Sequence, residues 1–156
     1  MKFKDDTVLP APTTATLDWF ESAHKFVFPE AFKKVLNHYN GGTPENPFFM
    51  QGFRERMIEC FLPILEDPGD DSKNGAYDIS VVLTQLDERI VSDLDYTGYE
   101  IVPIAALFGG DFVCMDFREN PKAPTIVVWD HEMSDDLSPV VELVSNSMDE
   151  FLKNFD

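Results

Sequence analysis

Apolar positions along the chain follow a helical period through much of its first half and at its end, and short β-rich runs through most of its second half. In "TLDWFESAHKF", Leu17, Phe20 and His24 fall near one helical face with Trp19 beside them, which predicts a first helix. Pro29 suits the start of a second, because the first helical turn leaves its N–H groups unpaired and proline has none to lose. "PEAFKKVLNHYNGG" then sets Phe32, Val35, Leu36 and Tyr39 at helical spacing. Asn40-Gly41-Gly42 ends that helix, since glycine reaches the left-handed conformation after the last turn without a steric cost. Ahead of these elements Pro10 and Pro12 oppose regular structure. Residues 1–13 are therefore expected as a flexible arm and residues 14–156 as a single domain.

The middle of the chain is more mixed. "TPENPFFMQGF" reads as loop, and "RMIECFLPIL" as a strand ending near Pro63. Residues 66–75, "EDPGDDSKNG", are acidic, rich in turn formers and expected as an exposed loop. "DISVVLTQLDERIVSDL" brings Ile79, Val82, Leu83, Leu86 and Ile90 onto one helical face with Asp78 as N-cap, although its β-branched content also suits a strand. Beyond it, "YEIVPIAALF", "DFVCMDF" and "TIVVWDHE" are short β-rich runs separated by Gly109-Gly110 and by "RENPKAP", spacings that suit an antiparallel meander. "VVELVS" supplies a last strand. Ser147 and Glu150 form a capping-box pattern before a terminal helix with Met148, Phe151, Leu152 and Phe155 as its apolar face. Helices at the ends and strands between them predict an α+β fold, an antiparallel sheet flanked by N-terminal helices and a C-terminal helix.

Composition bounds what such a fold does. The chain has 156 residues, 44% of them hydrophobic, with fourteen phenylalanines, enough for one core without staples. Its net charge of −17 repels nucleic acid and anionic membrane, since binding either requires basic residues against phosphates. The same charge suits a basic protein partner, whose encounter it accelerates, and also serves solubility. No apolar run reaches the roughly 18 residues that span a bilayer. "MKFKDDTVLPAP" lacks the positive-then-apolar pattern of a secretory signal, so a cytoplasmic location is expected. Cys60 and Cys114 lie in apolar runs and are expected as free, packed thiols.

Four pieces in order resemble one family. "FPEAFKKVLNHYNGG" resembles the signature helix of the SUKH superfamily, the Smi/Knr cell-wall-regulator-like domain that includes bacterial toxin immunity proteins. "EIVPIAALFGGDFVCMDF" is similar to its sheet centre, a strand, a glycine pair and a strand ending in Asp116. "TIVVWDHE" resembles the following strand, and "NSMDEFLKNF" matches the terminal helix. The motif positions are Asn40, Gly41, Gly42, Gly109, Gly110, Asp116 and Trp129. This resemblance implies an α+β domain without a catalytic centre. Its role would be either that of an immunity protein neutralising a toxin, often a nuclease, by stoichiometric binding, or that of a regulatory interaction module without a toxin partner.

The chemistry-bearing residues agree with a binding role. Cys114 sits mid-strand between Val113 and Met115 with Asp111 and Asp116 nearby, whose charges oppose the thiolate that a nucleophile needs. Gly109-Gly110 fits a hairpin turn better than a phosphate cradle, having neither a P-loop lysine nor a following helix. Strand alternation would put Asp130 and Glu132 on one face and Trp129 and His131 on the other, and His24 and His38 lie on distant helices, so no metal site and no cofactor is expected. Asp116 and Asp130 are expected to organise turns, and Trp129 to pack in the core. A third reading, a hydrolase using Asp116, His131 and Glu132, requires those residues to converge. For partner contact the candidates are acidic loop residues, Asp70, Asp71, Asp93, Asp95, Asp130, Glu132, Asp135 and Asp136, with Tyr96 and Tyr99 as aromatic anchors.

Overall fold

The computed structural model describes residues 1–93 and 100–156. Four α-helices and a six-stranded antiparallel sheet form one α+β arrangement among them. The strands, β1 (Phe48–Gln51), β2 (Arg54–Phe61), β3 (Ile101–Leu107), β4 (Phe112–Asp116), β5 (Thr125–Trp129) and β6 (Val141–Ser145), follow one another in space in chain order, an uninterrupted meander. Consecutive pairing keeps each connection next to its own hairpin. It also puts the β1–β2, β3–β4 and β5–β6 connections at the same end of the sheet.

Helices α1 (Thr14–His24) and α2 (Glu30–Tyr39) precede the sheet. The Thr13 hydroxyl accepts the Thr16 N–H at the start of α1, and Pro29 stands at the N-cap of α2, one place before its first turn. Gly41 takes φ +71 just after α2. The residue before it has a second task. Asn40 is 1% exposed, and its side chain donates to the carbonyls of Pro10 and Ile64 and accepts the Ile64 N–H. The helix end is thereby tied to two other segments.

Helix α3 (Ile79–Leu86) connects β2 to β3, and the Asp78 carboxylate caps it by accepting from Ser80 and Val81 N–H. The helix stops at Leu86, and Ile90 is buried from a separate 3-10 turn over Asp87–Ile90. Helix α4 (Met148–Leu152) closes the chain, with Ser147 Oγ accepting the Glu150 N–H and Glu150 accepting in return from Asn146 N–H.

Strand register assigns the layers. Cys60, Ala106, Phe112 and Trp129 stand opposite one another and share the sheet face covered by α3 and its 3-10 turn. Phe61, Ala105, Val113 and Val128 share the other face, where Phe155 packs on Phe61 at 5.9 Å and Phe151 on Phe49 at 5.3 Å. All seven residues of β3 are buried, as a central strand covered on both sides requires.

Two expectations need correction. "TPENPFFMQGF" is not all loop, because Phe48–Gln51 pairs with β2 through a two-residue hairpin. Gly52, first in that loop at φ +58, supplies the positive φ that a type II′ turn demands there. The first thirteen residues also lie on the body. Phe3 is 5% exposed and stacks on Tyr39 at 4.2 Å, and Leu9 N–H donates to the Asn40 carbonyl. Two prolines disfavour helix and sheet in that segment, but they do not prevent an apolar side chain from docking.

Candidate functional site

The end of the sheet that carries the β1–β2, β3–β4 and β5–β6 connections holds a polar cleft of about 280 Å³, lined among others by Arg54, Glu55, Phe108, Asp111, His131 and Glu132. Asp111 organises it. The glycines before it, at φ +103 and +98, let the chain reverse in four residues, and the Asp111 carbonyl accepts the Leu107 N–H to close the turn. Its carboxylate then reaches across the cleft. Oδ2 accepts from Arg56 Nη2 at 2.7 Å, while Oδ1 accepts the His131 N–H at 2.9 Å and meets the His131 ring Nδ1 at 2.6 Å. Arg56 Nη1 donates to Gln51 Oε1, and Gln51 Nε2 donates to Glu142 Oε2. One hydrogen-bonded chain thus joins β6, β1, β2, the β3–β4 turn and the first residues after β5.

Electrostatics follow from that geometry. Burial alone would raise the Asp111 carboxyl. The His131 amide and ring and the Arg56 guanidinium outweigh it and hold the group below the usual aspartate value. Gly110 is favoured by its φ of +98, and a Cβ there would also press on the His131 ring, 3.3 Å from Cε1. From the other side Arg89 pins the β5–β6 connection, donating to the carbonyls of His131 and Ser134 while its guanidinium lies 5.0 Å over the Trp129 ring. Trp129 is fully buried and its indole N–H donates to the Arg89 carbonyl, so the tryptophan is a core residue.

Alternation misplaces His131. Strand β5 ends at Trp129, so the residues after it no longer alternate, and Asp111, Asp130 and His131 offer ligand atoms all within 4.8 Å of one another. Their capacity is largely occupied. Both Asp111 oxygens accept from Arg56 or His131, and Asp130 Oδ1 accepts the N–H groups of Glu132 and Met133. A cation entering there would compete with a guanidinium 2.7 Å from the same carboxylate. The donor set fits an ion-paired turn better than a metal centre.

The hydrolase triad does not assemble. Asp116 lies at the far end of β4 from Asp111, where it holds its own turn by accepting the Arg118 N–H and a two-pronged guanidinium contact. Neither cysteine is poised as a thiolate. Burial, with Asp116 adding to it, pushes Cys114 well above its ordinary value, and burial with Glu59 pushes Cys60 up to about 12.

The acidic candidates do not share one loop. Asp130, Glu132, Asp135 and Asp136 all lie on the β5–β6 connection, and the first two line the cleft. Asp70 and Asp71 belong to the β2–β3 connection, where Asp71 accepts from Lys73 and Asn74 N–H and holds a local turn. Asp93 follows the Asp87–Ile90 turn, and Asp95, Tyr96 and Tyr99 lie outside the described residues. Arg56, Gln51, Arg89 and Glu142, which position the cleft, escape a reading of motifs. A usable signal was present, since two arginines in "RERMIE" are conspicuous in a chain with only 12 lysines and arginines.

With the geometry established, comparison with known proteins places the chain. The family model described as SMI1 / KNR4 family (SUKH-1) matches residues 11–154. This chain belongs to the SUKH-1 family. That family is generally one of non-enzymatic immunity or regulatory domains, in keeping with a cleft built from ion pairs. A relative named SPbeta prophage-derived uncharacterized protein YokK, from Bacillus subtilis (strain 168), is 34% identical over 130 residues, covering 80% of this chain. The SUKH-1 chain spans 64% of that relative's length. No helix among the described residues is long and apolar enough to cross a membrane.

Proposed function

We propose that this SUKH-1 protein is an immunity protein, which neutralises a cognate toxin domain by stoichiometric binding and without catalysis. The observation that carries this reading is the family match over residues 11–154. The prophage origin in the relative's name supports it, because mobile elements carry genes for competition between cells. Net charge supplies the partner's chemistry. At −17 the protein attracts a basic domain, and the substrate groove of a nuclease is such a surface. Acidic residues of the β5–β6 connection, Asp130, Glu132, Asp135 and Asp136, are its contacts in this reading. The test is titration calorimetry against a catalytically inactive form of a toxin domain encoded beside this gene. Tight one-to-one binding is expected, and no heat from two folded proteins would break that pairing.

A further inference from the structure

We infer that the cleft end of the sheet is the partner-binding face, and that it receives a protein segment presenting an arginine or lysine flanked by apolar side chains. This inference rests on the inhibitor reading for the partner's identity. Three of the most exposed large apolar side chains among the described residues are Phe53 at 104%, Phe108 at 69% and Met133 at 67%. They occupy the β1–β2, β3–β4 and β5–β6 connections, one each, and every one adjoins or forms part of the cleft lining. The fold gains nothing from Phe53, which holds the second place of a two-residue turn where small polar residues suffice.

Between these side chains the charge is one-sided. Arg56 is committed to Asp111 and Gln51, which leaves Arg54 as the base facing Glu55, Asp130 and Glu132. Carboxylates within an apolar rim fit a partner's guanidinium or ammonium whose stem lies along the Phe108 ring. Nucleic acid is repelled by the same groups, and a second copy would bring like charge against like charge. The face is also held before binding. The Asp111 chain of hydrogen bonds and the Arg89 clamp fix two of the three connections, which lowers the ordering cost of association.

The experiment pairs the full-length protein with the inactive toxin domain and compares three double variants. Phe53→Ser with Phe108→Ser is expected to weaken Kd by about thirtyfold or more. Glu55→Lys with Glu132→Lys should slow association at low salt by roughly tenfold. Glu66→Lys with Asp70→Lys, on the other acidic loop, should stay within about twofold. Thermal melts of the free variants check that each is folded. If wild type binds and the first two variants bind equally well, the face is wrong although the inhibitor reading stands. If wild type does not bind, the pairing fails and a defined probe decides the face, the peptide acetyl-Leu-Arg-Leu-Arg-Leu-amide followed by amide NMR shifts. Shifts concentrated at Gly110 and His131 sustain the inference, and shifts elsewhere or none overturn it.

Discussion

Replacing Asp111 with alanine tests whether the hydrogen-bonded chain holds the cleft end together. The substitution removes the acceptor of three donors, Arg56 Nη2, the His131 N–H and the His131 ring, across elements far apart in sequence. Arg56 and Asp111 side chains are 9% and 13% exposed, so the pair is largely withdrawn from water yet opens onto a wet cleft. Breaking a fully buried pair costs about 3–5 kcal/mol, and a hydrogen bond to a charged group contributes about 1.5–3. Water entering the cleft recovers part of that, which sets the expected loss at about 3 kcal/mol. For a domain of this size the midpoint should fall by roughly 10 °C, still within a stability of about 5–15 kcal/mol. Urea and thermal melts followed by circular dichroism at neutral pH give the number. A double-mutant cycle with Arg56→Met, which keeps the aliphatic stem, should return a coupling of at least about 1 kcal/mol. A loss below about 1 kcal/mol for Asp111→Ala, with no coupling to Arg56, would refute the network as a structural element.

Asn40→Ala leaves the buried Ile64 N–H and carbonyl and the Pro10 carbonyl without their partner and should cost about 3 kcal/mol in the same melts, whereas a helix-ending role alone would cost under about 1. The depressed Asp111 carboxyl contributes stability that is fully present above the unfolded aspartate value of 3.8 and is lost as pH falls through the lower folded value. An acid titration of Asp111→Asn should therefore show a shallower decline below pH 3.8 than wild type. With Cys60 raised to about 12 and Cys114 fully buried, both thiols should react slowly with a disulfide reagent in the native state and at once in denaturant, Cys60 first. Added salt should raise the midpoint of the free protein by screening its −17 self-repulsion while slowing its association with a basic partner, and equal signs for the two effects would contradict the charge argument.

Helix periodicity, caps and the meander order were legible in the chain because each rests on local chemistry. Asp78 and Ser147 cap the helices their positions suggest, and Gly109-Gly110 turns where two β-rich runs meet. The misreadings have a different origin. "FFMQ" is four residues long and becomes a strand only because β2 is there to pair with it, a tertiary fact. Strand alternation gives His131 a face only if it is extended two residues past Trp129, where the Asx turn at Asp130 has already changed the chain's direction. Arg56 and Asp111 stand 55 residues apart, and no local pattern relates them. Acidity in the loops was visible, but which acids share a face depends on the alternate-connection geometry of the meander.

The few basic residues show how an acidic domain keeps both a stable fold and an attractive surface. Self-repulsion at −17 disfavours compactness, and scattering the available cations evenly would relieve it at the expense of the field that draws a partner. Four of the twelve are placed otherwise. Arg56 is committed to Asp111, Arg118 to Asp116, Lys33 to Glu21 and Glu30, and Arg89 to carbonyls beneath the β5–β6 connection. Each neutralises or satisfies groups that set a turn or hold two elements together, where a cation has most effect on the fold. Carboxylates farther out, Glu55, Glu132 and those of residues 66–71 among them, keep their charge toward solvent. Committing Arg56 to Asp111 also explains why the cleft is lined by arginine and yet acidic in its outward aspect. A partner meets the charge that the fold did not need to neutralise.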